Sequence, residues 1–295
     1  MEKLLKLCIV AVLLSAVMAA SGDILPDGLA FYKQGSVTLS APGDYDWWYG
    51  CSPTSAGMII GHYDVCGYNS QSYGNLVQGG NAENSTYGGG TYLANDAIAS
   101  SGHISDFYSG GYLASGDDVA PPFHSFNCLA DFMGTSQDSV GNVNGSTTFY
   151  YWTNGAAFTA ADALNNNVAD LEGMYGIGEY IRYRGYDAAS LYTQHIYTTS
   201  TPLGFTFSQY MAEINAGRPV IIQVENHSMY GYGYDAASNT VLLHDTWTLG
   251  LHSMTWGGSY SGLQQWGVVA LTPVPEPVTL LLFGLGTMLL RKRKY

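Results

Sequence analysis

The stretch from Phe207 to Pro273 restricts the possible folds most, because strand-like segments follow one another there with only short connections between them. "FSQYMAEINAG" (207–217) reads as a helix, with Ser208 as N-cap, apolar Tyr210, Met211 and Ile214 at helical spacing, and Gly217 as its stop. "RPVIIQVENH" (218–227) is then a buried strand rich in Val and Ile that ends at His227. "SMYGYGYD" (228–235) and "NTVLLHDTW" (239–247) come next, joined by the turn residues "AAS", and "LQQWGVVALTP" (263–273) closes the set. Hairpin-length connections make such neighbours antiparallel.

Upstream the pattern is helical. "PTSAGMIIGHY" (53–63) starts a helix, with Ser52 as N-cap, Pro53 at the first helical position, and Met58, Ile59, His62 and Tyr63 facing inward. Residues 159–180 include another helix, interrupted by glycines. Helices first and antiparallel strands later define an α+β domain. The Gly-, Ser-, Asn- and Tyr-rich segments 67–92 and 133–148 are loops by composition, of a length that often shapes or covers a cleft.

Both ends fall outside that domain. Residues 1–20, "MEKLLKLCIVAVLLSAVMAA", carry two early lysines, an apolar run and small residues before Ser21, the layout of a secretory signal peptide. Residues 273–295, "PVPEPVTLLLFGLGTMLLRKRKY", join Pro-Glu-Pro (275–277), an apolar stretch from Val278 to Leu290, and the basic cluster Arg291 to Lys294. As a helix the stretch rises about 20 Å, short for a hydrocarbon core of about 30 Å. Terminal positive charge favours a cytoplasmic tail with the rest of the chain outside. The order of these parts resembles the PEP-CTERM sorting signal, and the resemblance implies recognition by an exosortase and export through the inner membrane to the envelope or exterior. The expected organisation is signal peptide 1–20, one domain over 21–272, and sorting segment 273–295.

Without the two ends, four basic residues (Lys33, Arg182, Arg184, Arg218) face twenty-one acidic ones, a net charge near −17. Such a surface repels phosphate backbones, so no nucleic-acid partner is expected. Three of the four cysteines remain: Cys51, Cys66 and Cys128. In an oxidising compartment an odd count leaves one thiol over, and a Cys66–Cys128 pair is the choice that frees Cys51.

Cys51 precedes the helix at Pro53, and the unpaired N–H groups of a helix start favour a thiolate. Gly50 before it gives a substrate backbone room, and Trp47, Trp48 and Tyr49 offer a cleft wall. A thiol nucleophile needs a base and a group to orient that base. His227, at a strand end, suits the first role. Asp245 in "LLHDTW", near the end of the strand that pairs back, suits the second. His62, His103, His124, His195, His244 and His252 read as structural or surface residues, and neither a metal set nor a cofactor fingerprint stands out.

"YGCSPTSAGMIIGHYD", "AGRPVIIQVENHSMYGYGY" and "NTVLLHDTW" resemble the cysteine, histidine and aspartate blocks of the C39-like branch of the papain-like cysteine peptidases. The resemblance spans roughly 40–270 and implies a central helix headed by the cysteine and packed on an antiparallel sheet that carries the histidine and the acid. It implies Cys51 as nucleophile, His227 as general base and acid, Asp245 as orienting carboxylate, and a peptide or protein substrate. The family's glutamine, about six residues before the cysteine, is here Tyr45, so Tyr45, Trp47 or Trp48 is left to supply the second oxyanion donor. The expected activity is that of an exported cysteine peptidase or related acyl hydrolase. The alternative is a non-catalytic envelope or matrix protein, suited to an extracellular polysaccharide matrix, that keeps the fold as a binding module.

Overall fold

The computed structural model describes residues 35–40, 43–80, 93–109 and 124–275, all within the compact unit Lys33–Tyr295. The expected signal peptide (1–20) lies outside the described residues, as does the expected sorting segment (273–295) from Glu276 onward, whereas residues 273–275 belong to the last strand of the sheet and carry the domain past the expected boundary at 272. Among the described residues no helix is long and apolar enough to cross a membrane.

The architecture is α+β. Nine strands form one antiparallel sheet: β1 (Ser36–Thr38), β2 (Phe158–Thr159), β3 (Tyr186–His195), β4 (Val220–Val224), β5 (His227–Asp235), β6 (Thr240–His244), β7 (His252–Thr255), β8 (Ser259–Tyr260) and β9 (Leu263–Pro275). Their order is β2-β3-β9-β4-β5-β6-β7, with β1 on β5 and β8 on β9. The last strand of the chain is thus inserted between β3 and β4. That places β4 and β9 centrally, where both faces are covered, and it explains why β4 is apolar at four of its five positions.

The helices are α1 (Cys51–Cys66), α2 (Leu93–Ile98), α3 (Ser101–Ser109), α4 (Leu129–Phe132), α5 (Ala160–Asn165), α6 (Gly173–Tyr183) and α7 (Phe207–Asn215). Helix α1 is central and buried without a break from Ser52 to Asp64, rather than on one inward face. The sheet strands β4 and β5 hold one side of it while α2 and α4 close another. At Gly57 a Cβ would run into the Ile98 side chain, so glycine is what lets α2 come so near. Ile221 of β4 joins the core with α1. Ile222 instead lies beside Gly231 and the Tyr210 hydroxyl of α7.

Three local expectations differ from the structure. The helix over 159–180 is broken into α5 and α6, because Asn167 takes a left-handed conformation (φ 56°) and Glu172 N-caps a fresh start by accepting from Tyr175 N. The cap of α7 is Thr206, two residues before Ser208. Thr206 accepts from Gln209 N while the Gln209 side chain accepts from Thr206 N, a reciprocal pair that fixes the start. Cys66 and Cys128 form no disulfide, and all three cysteines are free thiols. Cys66 donates to Ser40 O at the far end of α1, whereas Cys128 is buried at the start of α4 and donates to Asp131.

Candidate active site

The nucleophile candidate sits at the first residue of α1, two positions further into the helix than the sequence suggested. Gly50 is the N-cap, and no side chain caps the helix. Thr54 holds the turn instead, donating from Oγ1 to Gly50 O (2.6 Å) and accepting from Trp48 N (3.1 Å). Ser52, the expected cap, turns its hydroxyl across the domain to Ser228. Gly50 itself has a packing reason: at φ 147° an added Cβ would lie 2.9 Å from both the Pro53 ring and Thr135 Cγ2.

The β4–β5 hairpin brings the other partners. Val224 pairs with His227 and Gln223 with Ser228, so the two-residue turn at Asn226 (φ 56°) sets His227 at the mouth of β5. A cleft of about 540 Å³ is lined by Cys51, Ser52, Gln223, His227 and Trp247, with the loop at 144–149 as one wall. Gly145 permits that wall to close in, since a Cβ there would stand 3.3 Å from the Gly50 Cα.

His227 Nε2 lies 2.6 Å from Asp245 O, and a carbonyl only accepts, so Nε2 carries the proton. Nδ1 is left with its lone pair, the state a general base requires. Trp247 stacks on the imidazole at 3.9 Å and 18°, which shields the bond to Asp245 from water. The Asp245 carboxylate faces the other way. Oδ1 accepts from Trp247 N and Thr248 N (2.9 Å each), and Oδ2 accepts from Tyr260 Oη (2.7 Å). The hydrogen bond to His227 therefore comes from the Asp245 main chain and not from its carboxylate, which knits the loop after β6.

Electrostatically both reacting groups are held neutral. Cys51 keeps partial exposure as a residue, but its sulfur is deep enough that burial pushes the thiol up. Hydrogen bonding from the Ser228 main chain pulls the other way. Burial likewise moves His227 below its ordinary value, against the bond to Asp245 O.

Sequence reasoning missed one feature of this cleft. Ser228 Oγ donates to Gln223 Oε1 (2.8 Å) and so accepts from Ser52 Oγ (2.8 Å), a relay beside the sulfur. Gln223 is 3 % exposed and its Nε2 has no hydrogen-bond partner, an unused donor at the cleft. A lone glutamine inside a Val/Ile strand was the available signal. Of the three aromatic candidates near the thiol, Trp47 lines the cleft. Tyr45 is in the core, and the Trp48 indole N–H is directed to Ala99 O (3.3 Å).

A thiol at a helix start and an imidazole with a bare nitrogen, lining one cleft of an α+β domain, have the layout of a thiol hydrolase. The family comparison agrees with that class. The chain matches the model of the Peptidase_C39 like family over residues 29–257, and it belongs to that family. No curated protein and no solved structure matches it.

Proposed function

We propose that the protein is an exported cysteine peptidase of papain-like fold that works through an acyl-enzyme. His227 Nδ1 takes the Cys51 proton as the sulfur attacks the scissile carbonyl carbon. The imidazolium returns the proton to the leaving amine, and a water deprotonated by His227 then releases the acid and the free thiol. The Asp245 carbonyl fixes the tautomer and Trp247 keeps that bond dry. The Cys51 main-chain N–H donates to the oxyanion, while Gln223 Nε2 meets a further polar group of the bound peptide. The observation that carries this reading is that Cys51 and His227 line one cleft while Nε2 is already committed to Asp245 O.

The signal-peptide layout of residues 1–20 and the resemblance of 273–295 to a sorting signal support activity outside the inner membrane, with exosortase and the secretion machinery as processing partners, peptides or proteins as substrate and no role in nucleic-acid binding. One observation favours a second reading, a matrix-binding module without turnover: burial raises the thiol and lowers the imidazole, so the resting pair is uncharged. Digestion of a mixed peptide library by the full-length protein, read by mass spectrometry, separates the two. The peptidase reading expects cleavage that falls at least about a hundredfold in both Cys51→Ala and His227→Ala. An intact library with the wild-type chain, or equal cleavage by Cys51→Ala, overturns it.

A further inference from the structure

A second group of reactive side chains lies away from the cleft, behind its aromatic wall. His103 and Asp106 come from α3, Asp131 from α4, and His124 from the segment between them. His103, Asp106 and Asp131 are buried, and His124 is nearly so. None of them lines the cleft; Phe107 of α3 packs on Trp47 and Tyr49 and separates the two places.

Three ligand-type atoms converge here, with an Asp106 carboxylate oxygen beside one of them. His103 Nδ1 is 3.0 Å from Asp131 Oδ1, His124 Nε2 is 3.4 Å from the same oxygen, and His124 Nε2 is 3.4 Å from Asp106 Oδ2. One ligand atom each from His103, His124 and Asp131 fits within 4.8 Å of the others. The fold has made room for this. Gly102, in the first turn of α3, lies so close to His124 that a Cβ would stand 2.7 Å from its ring carbon Cγ.

The proton positions argue against an ordinary ion pair. His124 Nδ1 is 3.0 Å from Ser125 O, which only accepts, so Nδ1 holds a proton and Nε2 is the nitrogen left to meet an ion. That nitrogen has no hydrogen-bond partner, yet it faces two carboxylate oxygens at equal distance. A single N–H added there would serve one oxygen only, and charge-assisted bonds are shorter, about 2.7–2.9 Å. Donor atoms about 2.0–2.1 Å from one tetrahedral zinc ion stand about 3.4 Å apart, the spacing of His124 Nε2 and Asp131 Oδ1, while His103 Nδ1 lies closer to that oxygen at 3.0 Å. The second oxygen of Asp131 is already engaged by Asn127 N, Cys128 N and the Cys128 thiol, which aims Oδ1 at the two rings.

We infer that His103, His124 and Asp131, with Asp106 beside His124, form a binding site for a divalent transition-metal ion of the zinc type. Without metal His103 Nδ1 donates to Asp131 Oδ1, and the ion takes the place of that proton as the ring changes to its Nε2 tautomer. The ion's ligands come from two helices and the segment between them, so it acts as a clamp, with water at the fourth position of a tetrahedral ion. It ties α3 to the start of α4, and through Phe107 it braces the wall beside Cys51. The site stands independently of the peptidase reading.

The test uses tag-free, full-length protein stripped with chelator, reloaded with Zn²⁺ or Co²⁺ and desalted. The expected result is about one equivalent of zinc, tetrahedral visible bands with Co²⁺, and a melting temperature that rises on reloading. His124→Gln, the least buried ligand, loses the bound metal and the thermal shift, while Cys51→Ser keeps both. Substoichiometric metal with no thermal shift in the wild-type chain overturns the inference. So does metal that survives His124→Gln, or metal that leaves with Cys51→Ser and therefore belongs to the cleft thiol. If His124→Gln does not fold, the Co²⁺ spectrum of the wild-type chain decides, and octahedral or absent bands count against the site.

Discussion

At the scale of single residues, Asp245 separates what a side chain is from what its main chain does. A strand followed by Asp-Thr-Trp suggests an orienting carboxylate, and in the structure the carboxylate serves Trp247 N, Thr248 N and Tyr260 instead. Asp245→Asn therefore keeps both the carbonyl bond to His227 and an oxygen for the two N–H groups. Turnover in that variant is expected within about tenfold of the wild type, where loss of an orienting triad carboxylate costs about 10⁴-fold. Steady-state kinetics on one cleaved peptide checks this, and a collapse of kcat would assign the role to the carboxylate. That Cys51, His227 and Asp245 would come close together was legible from their blocks. Which atom of Asp245 meets His227 was not, because the left-handed turn at Thr246 (φ 61°) redirects the loop and no local propensity announces it. Gln223 was hidden for the reverse reason: a strand pattern states that a position is buried, but not which buried polar atom goes unpaired.

At the scale of elements, α6 shows how a cap reaches the cleft. Glu172 caps α6 through Tyr175 N (2.7 Å) and holds the end of the cleft loop through Tyr150 N (3.1 Å), while Gly173 N donates to Thr148 O. Burial pushes this carboxyl up to about 7 against those donors. An unfolded glutamate titrates near 4.3, so between there and about pH 7 the folded chain holds the proton more firmly and stability falls as pH rises. Full ionisation costs about 4 kcal/mol by that linkage. Glu172→Gln, which cannot ionise, is expected to flatten the fall in unfolding free energy between pH 4.5 and 7, as denaturant titration at several pH values would reveal. Parallel curves for the two proteins would contradict the assignment. Element type was read correctly for α1, α7 and the C-terminal strands, whose periodicity is long and clean. The break between α5 and α6 escaped because it depends on Asn167 and on a glutamate cap buried only in the finished fold. β3 and β7 lack the Val/Ile richness that marks β4.

At the scale of the whole molecule, the tyrosine-rich composition belongs to the interior as much as to the surface. Tyr63, Tyr180 and Tyr210 are buried, and their hydroxyls donate to Leu271 O, Leu76 O and Gly233 O at 2.8–2.9 Å. A phenol fills volume like an apolar ring and also satisfies a carbonyl, which suits a core where helices meet sheet edges. The same packing lowers the dielectric around the cleft and keeps Cys51 and His227 neutral at rest. The central claim is that His227 activates Cys51, and labelling by a peptidyl electrophile across pH tests it most directly, in a Cys66→Ser background that removes the exposed thiol. The account predicts one adduct, on Cys51, with an acid limb below the ordinary histidine value of about 6.5, a plateau above it, and a further rise only beyond the ordinary thiol range. His227→Ala should abolish the plateau and slow labelling at neutral pH by about a hundredfold. Slow labelling that follows an ordinary thiol profile and ignores His227→Ala would contradict it.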